Sequence, residues 1–389
     1  MYAQSERESR WGPKLNKNET YGSGNKFNGA GQDARKSRCS RLHNPDSPPT
    51  TAADLTSALY DAGTLRDGAI LDVTITEQRK TEISNLWFLD VVYSAQSSPK
   101  LPNRLLLKWA LKESPAPERG DPEVVFYRDL APQLPSPPIV ASLATAPLTS
   151  KDRWLLIEDL RSSHTNPPWP DRPADEFLPD AVAALARVHA HWWESPALGS
   201  TVGRLHTESA LREMVAGFRS HLPGFLADLG EDLPLVDRLV LEEVFNSSLR
   251  PWLRLLDQRA LTVIHGDAHT WNFLFSRSGQ GSTYLVDWQV WHLDLGARDL
   301  AFMIGLHWNR TARQQLELPL LHFYHADLLR AGINNYSFDD LLLDYRRCLV
   351  RNLTFPILFW SRGGRREAWR DRLDYALAAY RDLECGELL

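Results

Sequence analysis

The densest run of chemically capable residues is His265-Gly266-Asp267-Ala268-His269-Thr270-Trp271-Asn272. It is followed by Phe273-Leu274-Phe275, a Ser/Gly-rich turn and Tyr284-Leu285-Val286-Asp287-Trp288. An aspartate follows an apolar strand, an asparagine stands five positions on, and a second aspartate closes the next hairpin. Asn272 precedes the first hairpin strand and Asp287 ends the second, so antiparallel pairing returns both side chains to one end. Two oxygen ligands there suit a hard cation such as Mg²⁺, which keeps several waters and binds few protein carboxylates besides phosphate oxygens. Asp267, on the intervening loop, is then left to accept a proton from a substrate hydroxyl. A rival reading takes His265 and His269, at i and i+4, as zinc ligands. It needs a helix and normally a glutamate beside the first histidine, whereas Gly266 stands there after a β-like run. Aspartates in turns are commonly caps. The combined spacing of Asp267, Asn272, Asp287 and Asp299 on a strand–loop–hairpin pattern argues for a site instead.

This cluster resembles the catalytic core of the aminoglycoside phosphotransferase and choline kinase-like small-molecule kinases, a branch of the protein kinase-like fold. The Trp/Phe-rich flavour, with Leu185-Ala186-Arg187-Val188-His189-Ala190-His191-Trp192-Trp193 upstream, is similar to the ecdysteroid kinase-like subgroup. The resemblance runs from roughly residue 70 to 345. It implies that Asp267 is the catalytic base and that Asn272 and Asp287 are metal ligands. Asp287 is followed here by Trp288-Gln289 rather than Phe-Gly. Gly296-Ala297-Arg298-Asp299-Leu300-Ala301 matches a downstream stretch whose aspartate, Asp299, braces the catalytic loop together with His265.

Phosphoryl transfer from a nucleotide also needs a cation on the phosphates, held by a carboxylate. Lys108 is the one lysine in the apolar strand Leu105-Leu106-Leu107-Lys108-Trp109, and Glu123 lies fifteen residues on, on a helix face shared with Phe126 and Tyr127. A charge on that face wants a partner, and Lys108–Glu123 is the natural pair. The bland alternative leaves Lys108 snorkelling at a strand end and Glu123 serving the helix dipole. The resemblance further makes Trp154–Leu160 a hinge, with the Glu158 carbonyl and the Leu160 amide against adenine. One departure stands out. Thr76-Glu77-Gln78-Arg79-Lys80-Thr81-Glu82, expected as the turn over the phosphates, has no glycine, so close backbone approach is harder. Arg79, Lys80 or Thr81 are left to reach phosphate with their side chains.

These residues must be positioned by a scaffold that the hydrophobic pattern outlines. Leu71–Ile75, Leu86–Tyr93, Arg104–Trp109, Pro138–Ser142 and Trp154–Ile157 read as short strands, with one helix opening at Asp121-Pro122. Helical spacing then takes over, over about 178–194, 207–227, 234–258, 311–331, 337–360 and 367–384. It is interrupted by strands at Leu261–Ile264, Phe273–Phe275 and Tyr284–Trp288. The expected fold class is α+β: a protein kinase-like two-lobed fold, with a small antiparallel-sheet N-lobe and a larger helical C-lobe. The expected division is a tail over 1–50 without fixed structure, an N-lobe over 51–158 and a C-lobe over 159–389. Residues 1–50 hold only Leu15 and Leu42 as aliphatics besides alanine, too few to offset the entropy of ordering.

Composition narrows the class. The chain has 389 residues, 43% hydrophobic and 24% charged, with net charge −5. No run approaches ~18 uninterrupted apolar residues, so no membrane span is expected, and the N-terminal region lacks the apolar core of a secretory leader. Three scattered cysteines make no disulfide framework, which suits a cytoplasmic setting. Residues 1–50 carry net +4 and the remaining 339 net −9. With no dense basic patch, nucleic acid is not the expected partner, and an acidic body is more congenial to a cationic or neutral substrate. The reading is an ATP- and Mg²⁺-dependent kinase that phosphorylates a hydroxyl on a small molecule: an aminoglycoside, amino alcohol, sugar or sterol-like compound. The alternative is a catalytically weak pseudokinase that binds nucleotide or a metabolite as a regulatory module.

Overall fold

Alternating apolar residues set the first sheet. The computed structural model describes residues 48–389 apart from 82, 112–119, 135–137, 151, 169 and 248, with backbone only at 120, 121 and 247. The expected tail over 1–50 therefore lies, up to residue 47, outside the described residues, as do the cap expected of Asp121 and Glu82 of the charged turn. Helix α1 (Ala52–Asp61) starts at Thr51, whose side chain accepts from the Asp54 amide. Strands β1 (Ile70–Lys80), β2 (Ser84–Tyr93), β3 (Arg104–Ala110), β4 (Ser142–Thr145) and β5 (Trp154–Glu158) form one antiparallel sheet in the order β1-β2-β3-β5-β4. Strand periodicity of two sends Leu105 and Leu107 into a core with Leu55 and Leu59 of α1. It thereby turns Leu106 and Lys108 to the opposite face. Helix α2 (Gly120–Val125), continued by a π-helical turn over Phe126–Leu130, carries Glu123.

The rest is mainly helical: α3 (Leu178–Trp192), α4 (Glu208–Leu229), α5 (Leu235–Ser247), α6 (Arg250–Leu253), α7 (Ala297–Leu300), α8 (Arg310–Arg330), α9 (Phe338–Asn352), α10 (Thr354–Ser361) and α11 (Arg366–Asp382). Among them lie β6 (His164–Thr165), β7 (Leu261–Ile264), β8 (Phe273–Ser276), β9 (Tyr284–Leu285) and β10 (His292–Leu295). β7 pairs with β10, and β6, β8 and β9 form a second small sheet. The stripe Leu178, Ala181, Val182, Leu185, Val188 of α3 is fully buried in the large core, which also takes in Phe126 and Tyr127. The two-lobed α+β class holds. Among the described residues, no helix is long and apolar enough to cross a membrane.

Several boundaries differ from the sequence expectation, each for a local reason. The charged stretch expected as a turn is mostly strand: β1 runs to Lys80, paired with Asn85, past a register shift between Ile75 and Glu77. Thr81 turns the chain by accepting from the Ser84 amide at 2.9 Å. β4 starts at Ser142 rather than Pro138, while Ile139 bridges to Leu285. The helix expected over 234–258 breaks before α6, whose first turn holds Pro251. That over 337–360 breaks at Leu353, before Pro356 of α10. A proline lacks the amide that would continue the preceding helix. The strand expected to reach Trp288 stops at Leu285, and Asp287 takes φ 70°.

Candidate active site

Strand β7 delivers the chain to a loop that is fixed from beneath. The buried carboxylate of Asp299, on α7, accepts from the His265 amide at 2.7 Å and from the Gly266 amide at 2.9 Å. His189 Nε2 of α3 donates to the same carboxylate at 3.2 Å, and its Nδ1 accepts from the Tyr324 hydroxyl at 2.8 Å. Burial opposes the Asp299 charge, but these donors outweigh it and hold its pKa below the usual range. Gly266 has φ +80°, and a Cβ there would lie 2.5 Å from the Val290 carbonyl, so no other residue fits without movement. His265 Nε2 donates to the Val286 carbonyl at 2.9 Å, while Nδ1 accepts from the Asp267 amide at 3.3 Å. With both ring nitrogens engaged on a non-helical segment, the zinc reading of His265 and His269 fails. β10 is tied down separately, by Arg351 of α9 on the buried carboxylate of Asp294.

Above this base the expected residues come together. The Asn272 amide nitrogen donates to the Asp267 carbonyl at 2.9 Å, leaving its oxygen as the atom suited to a cation. The Asn272 carbonyl accepts from the Val286 amide at 3.0 Å, so the β8–β9 pairing brings Asp287 back beside Asn272. Lys108 Nζ lies 2.8 Å from Glu123 Oε1 and 2.7 Å from Asp287 Oδ1. One ammonium thus joins the sheet, α2 and the hairpin. Burial works against the Lys108 charge, but the two carboxylates overcome it and raise its pKa. Glu123 is buried, and burial raises its pKa although Lys108 pulls it down. The Asp267 side chain is 39% exposed. Its partial burial favours the neutral form, yet His269, 3.5 Å away, holds its pKa well below the ordinary carboxylate range. Asp267 is therefore ionised at neutral pH, as a proton acceptor must be.

Glu158 closes β5 opposite Leu105, and Leu160 opens the turn to β6, its carbonyl accepting from the Ser163 and His164 amides. Arg79, expected to reach phosphate, is bound to Glu77, which also binds Arg161. The Arg161 guanidinium sits 3.3 Å over the Phe88 ring. Trp288, readable from sequence as pocket or core, is core: it is buried and stacks on Phe126 at 3.8 Å between centroids. Trp308 is likewise buried.

Some supporting residues escape a sequence reading. Gln289 hydrogen-bonds Glu123 and donates to the Ser84 hydroxyl at 3.3 Å. Trp291 Nε1 donates to the Pro122 carbonyl at 2.7 Å. His189, legible as a satisfied core residue, bonds the very carboxylate that holds the loop. Its place on the apolar stripe of α3, next to an aspartate-rich motif elsewhere, was the available signal.

A family model described as the phosphotransferase enzyme family matches residues 92–333. No curated protein matches the chain. Among solved structures, it is similar to a choline/ethanolamine kinase family protein from Mesorhizobium loti, at 15% identity over 80% of this chain and 87% of that one, with TM-score 0.48. It is also similar to a choline kinase from Streptococcus pneumoniae, at 16% identity over 82% and 93%, TM-score 0.43. A third is a macrolide 2'-phosphotransferase from Brachybacterium faecium, at 15% identity over 83% and 97%, TM-score 0.47.

Proposed function

We infer the reaction from a premise and a geometry together: the chain belongs to the phosphotransferase enzyme family, and it is a small-molecule kinase. We propose that it transfers the γ-phosphoryl group of ATP to an acceptor hydroxyl. The observation that carries this reading is the placement of Lys108 between Glu123 and Asp287, on the hairpin that follows Asp267 and Asn272. Lys108 steadies the α- and β-phosphates, and Glu123 holds Lys108 in place. Glu158 and Leu160 offer backbone groups to the adenine. Asp267 accepts the hydroxyl proton as the acceptor oxygen moves in line. His265 and Asp299 keep the loop in register while this happens.

The donor set fits magnesium. Asn272 contributes a neutral oxygen and Asp287 a carboxylate, the hard oxygen donors magnesium takes while keeping several waters. Bound by Asn272 and Asp287, magnesium would neutralise charge on the transferring phosphate.

Replacing Asp267 by alanine tests the assignment. Turnover of Mg-ATP, read as ADP release, should fall at least ~10³-fold. The thermal shift produced by Mg-ATP should persist. Undiminished ADP release would remove Asp267 from the chemistry. The pseudokinase reading is favoured by the glycine-free hairpin between β1 and β2, and it would be supported by nucleotide binding with no ADP release from the unaltered chain.

A further inference from the structure

The face of the first sheet that bears Lys108 carries two cross-strand rows. One is Arg79, Leu86, Lys108 and Leu155; the other is Glu77, Phe88, Leu106 and Ile157. The second row runs from the edge strand β1 to the residue before Glu158, and three of its four members are apolar. It forms an apolar strip between Lys108 and the backbone offered to adenine, the kind of surface on which a purine stacks. Phe88 supplies the aromatic ring of that strip. The ring is 4% exposed, yet it belongs to neither of the two apolar cores of the described residues. Two guanidiniums lie over it: Arg161, 3.3 Å from the ring centre, and Arg79, at 5.2 Å.

Arg161 is strapped across the strip. From the turn after Leu160, its Nε and Nη2 each donate to the Asp159 carboxylate at 3.0 Å, and its Nη1 donates to Glu77 on β1. Asp159 is buried and also accepts from Arg104 Nη2 at 3.3 Å, so the near end of the strap is fixed. Glu77 is partly exposed and shared with Arg79, so the far end is the weaker one. Because Glu77 stands in the same row as Phe88, the guanidinium covers the ring on the side of the sheet that carries Lys108. At 3.3 Å it is in van der Waals contact with the ring, and a base cannot share that surface with it.

We propose that Arg161 is a gate on the nucleotide: it competes with adenine for Phe88, and ATP is seated only as Arg161 leaves the ring and releases Glu77. The inference rests on the phosphotransferase reading. It gives the charged end of β1, which has no glycine to approach phosphate, a part in closing the seat of the base.

The test uses the full chain with adenosine as the probe, because adenosine carries no phosphate for a freed arginine to reach. Calorimetric titration should give Arg161→Ala an affinity at least ~fivefold above that of the unaltered chain, the effect of removing one stacked cation and one partly exposed ion pair. Mg-ATP should follow in the same direction. Glu77→Ala leaves Asp159 untouched, should raise the adenosine affinity ~twofold or more, and decides the matter if Arg161→Ala misfolds. Salt supplies a readout that a merely structural arginine would not move. Raising KCl from about 0.05 to about 0.5 M screens the strap but not the uncharged probe. Adenosine should then bind about twofold tighter to the unaltered chain and no tighter to Arg161→Ala. An adenosine affinity unchanged or lowered in Arg161→Ala, or in Glu77→Ala where the first variant misfolds, overturns the proposal, as does adenosine binding by none of the three chains. A salt effect of equal size in the unaltered chain and Arg161→Ala also overturns it. Binding of Mg-ATP by neither the unaltered chain nor the variants would sink the phosphotransferase reading itself. Binding of Mg-ATP without a gain on removing Arg161 sinks only this inference.

Discussion

Replacing Asp299 by asparagine separates the residue that holds the catalytic loop from the residue proposed to do the chemistry. Asp299 is fully buried and accepts three hydrogen bonds: His265 N and His189 Nε2 on one oxygen, Gly266 N on the other. Asparagine preserves shape but offers one oxygen, so its amide group faces at least one N–H whichever way it turns. A buried donor left without a partner costs about 1–3 kcal/mol, and bonds to a charged acceptor lie at the upper end. The expected loss is therefore about 2–4 kcal/mol. Alanine, which strands all three donors, should cost about 4–5 kcal/mol. Urea unfolding followed by circular dichroism reads both. Because the lost bonds anchor Gly266, one residue before Asp267, ADP release should fall about 10²-fold in the asparagine variant, the effect of an ~1 Å misplacement. Asp267→Asn provides the contrast. Its side chain is partly exposed, so stability should change by less than ~1 kcal/mol while turnover collapses. An Asp299→Asn variant within 0.5 kcal/mol and twofold of the unaltered chain, on the order of ordinary surface changes, would refute the bracing argument.

Three further outcomes follow from the same geometry. Lys108→Met should weaken Mg-ATP binding at least ~tenfold and destabilise the chain by about 3 kcal/mol at pH 8, because buried Glu123 loses its cation. That penalty should shrink as pH falls, because Glu123, its pKa raised by burial, takes up a proton, and Glu123→Gln in the same chain should relieve it; unfolding midpoints at pH 8 and at a lower pH check the sign. Gly266→Ala should cost about 2–4 kcal/mol in urea unfolding, from its positive φ and the approach to the Val290 carbonyl. Asp294 and Asp299 are both held below their ordinary pKa of 3.8. Their contribution is thus complete above about pH 5 and is lost as pH falls below 4, in addition to the decline below about pH 6.5 that the partly buried, uncharged His307 brings, so a stability profile from pH 7 to 3 should slope down and then steepen below pH 4.

The site was legible because its residue types are costly where they stand. A lysine in an apolar strand and a glutamate on a buried helix face need each other, and the structure joins Lys108 to Glu123 as the pattern required. The Asp267–Asn272–Asp287 spacing was readable because a hairpin returns its ends to one place. β1 beyond Ile75 was not, since an edge strand exposed on both faces keeps no apolar alternation to read. β10 was missed because His-Leu-Asp-Leu looks polar until Arg351, far along the chain, neutralises Asp294. The side chains of His269, His307 and Arg372, which follow one another away from Asp267, come from three distant segments, and no local period marks them.

The stack of Phe126 on Trp288, with the Trp291 indole on the Pro122 carbonyl and Gln289 reaching Ser84, forms a clasp. It solders the glutamate-bearing helix to the chain just beyond Asp287. Loosening that stack should therefore show first as a loss of Lys108 from between Glu123 and Asp287.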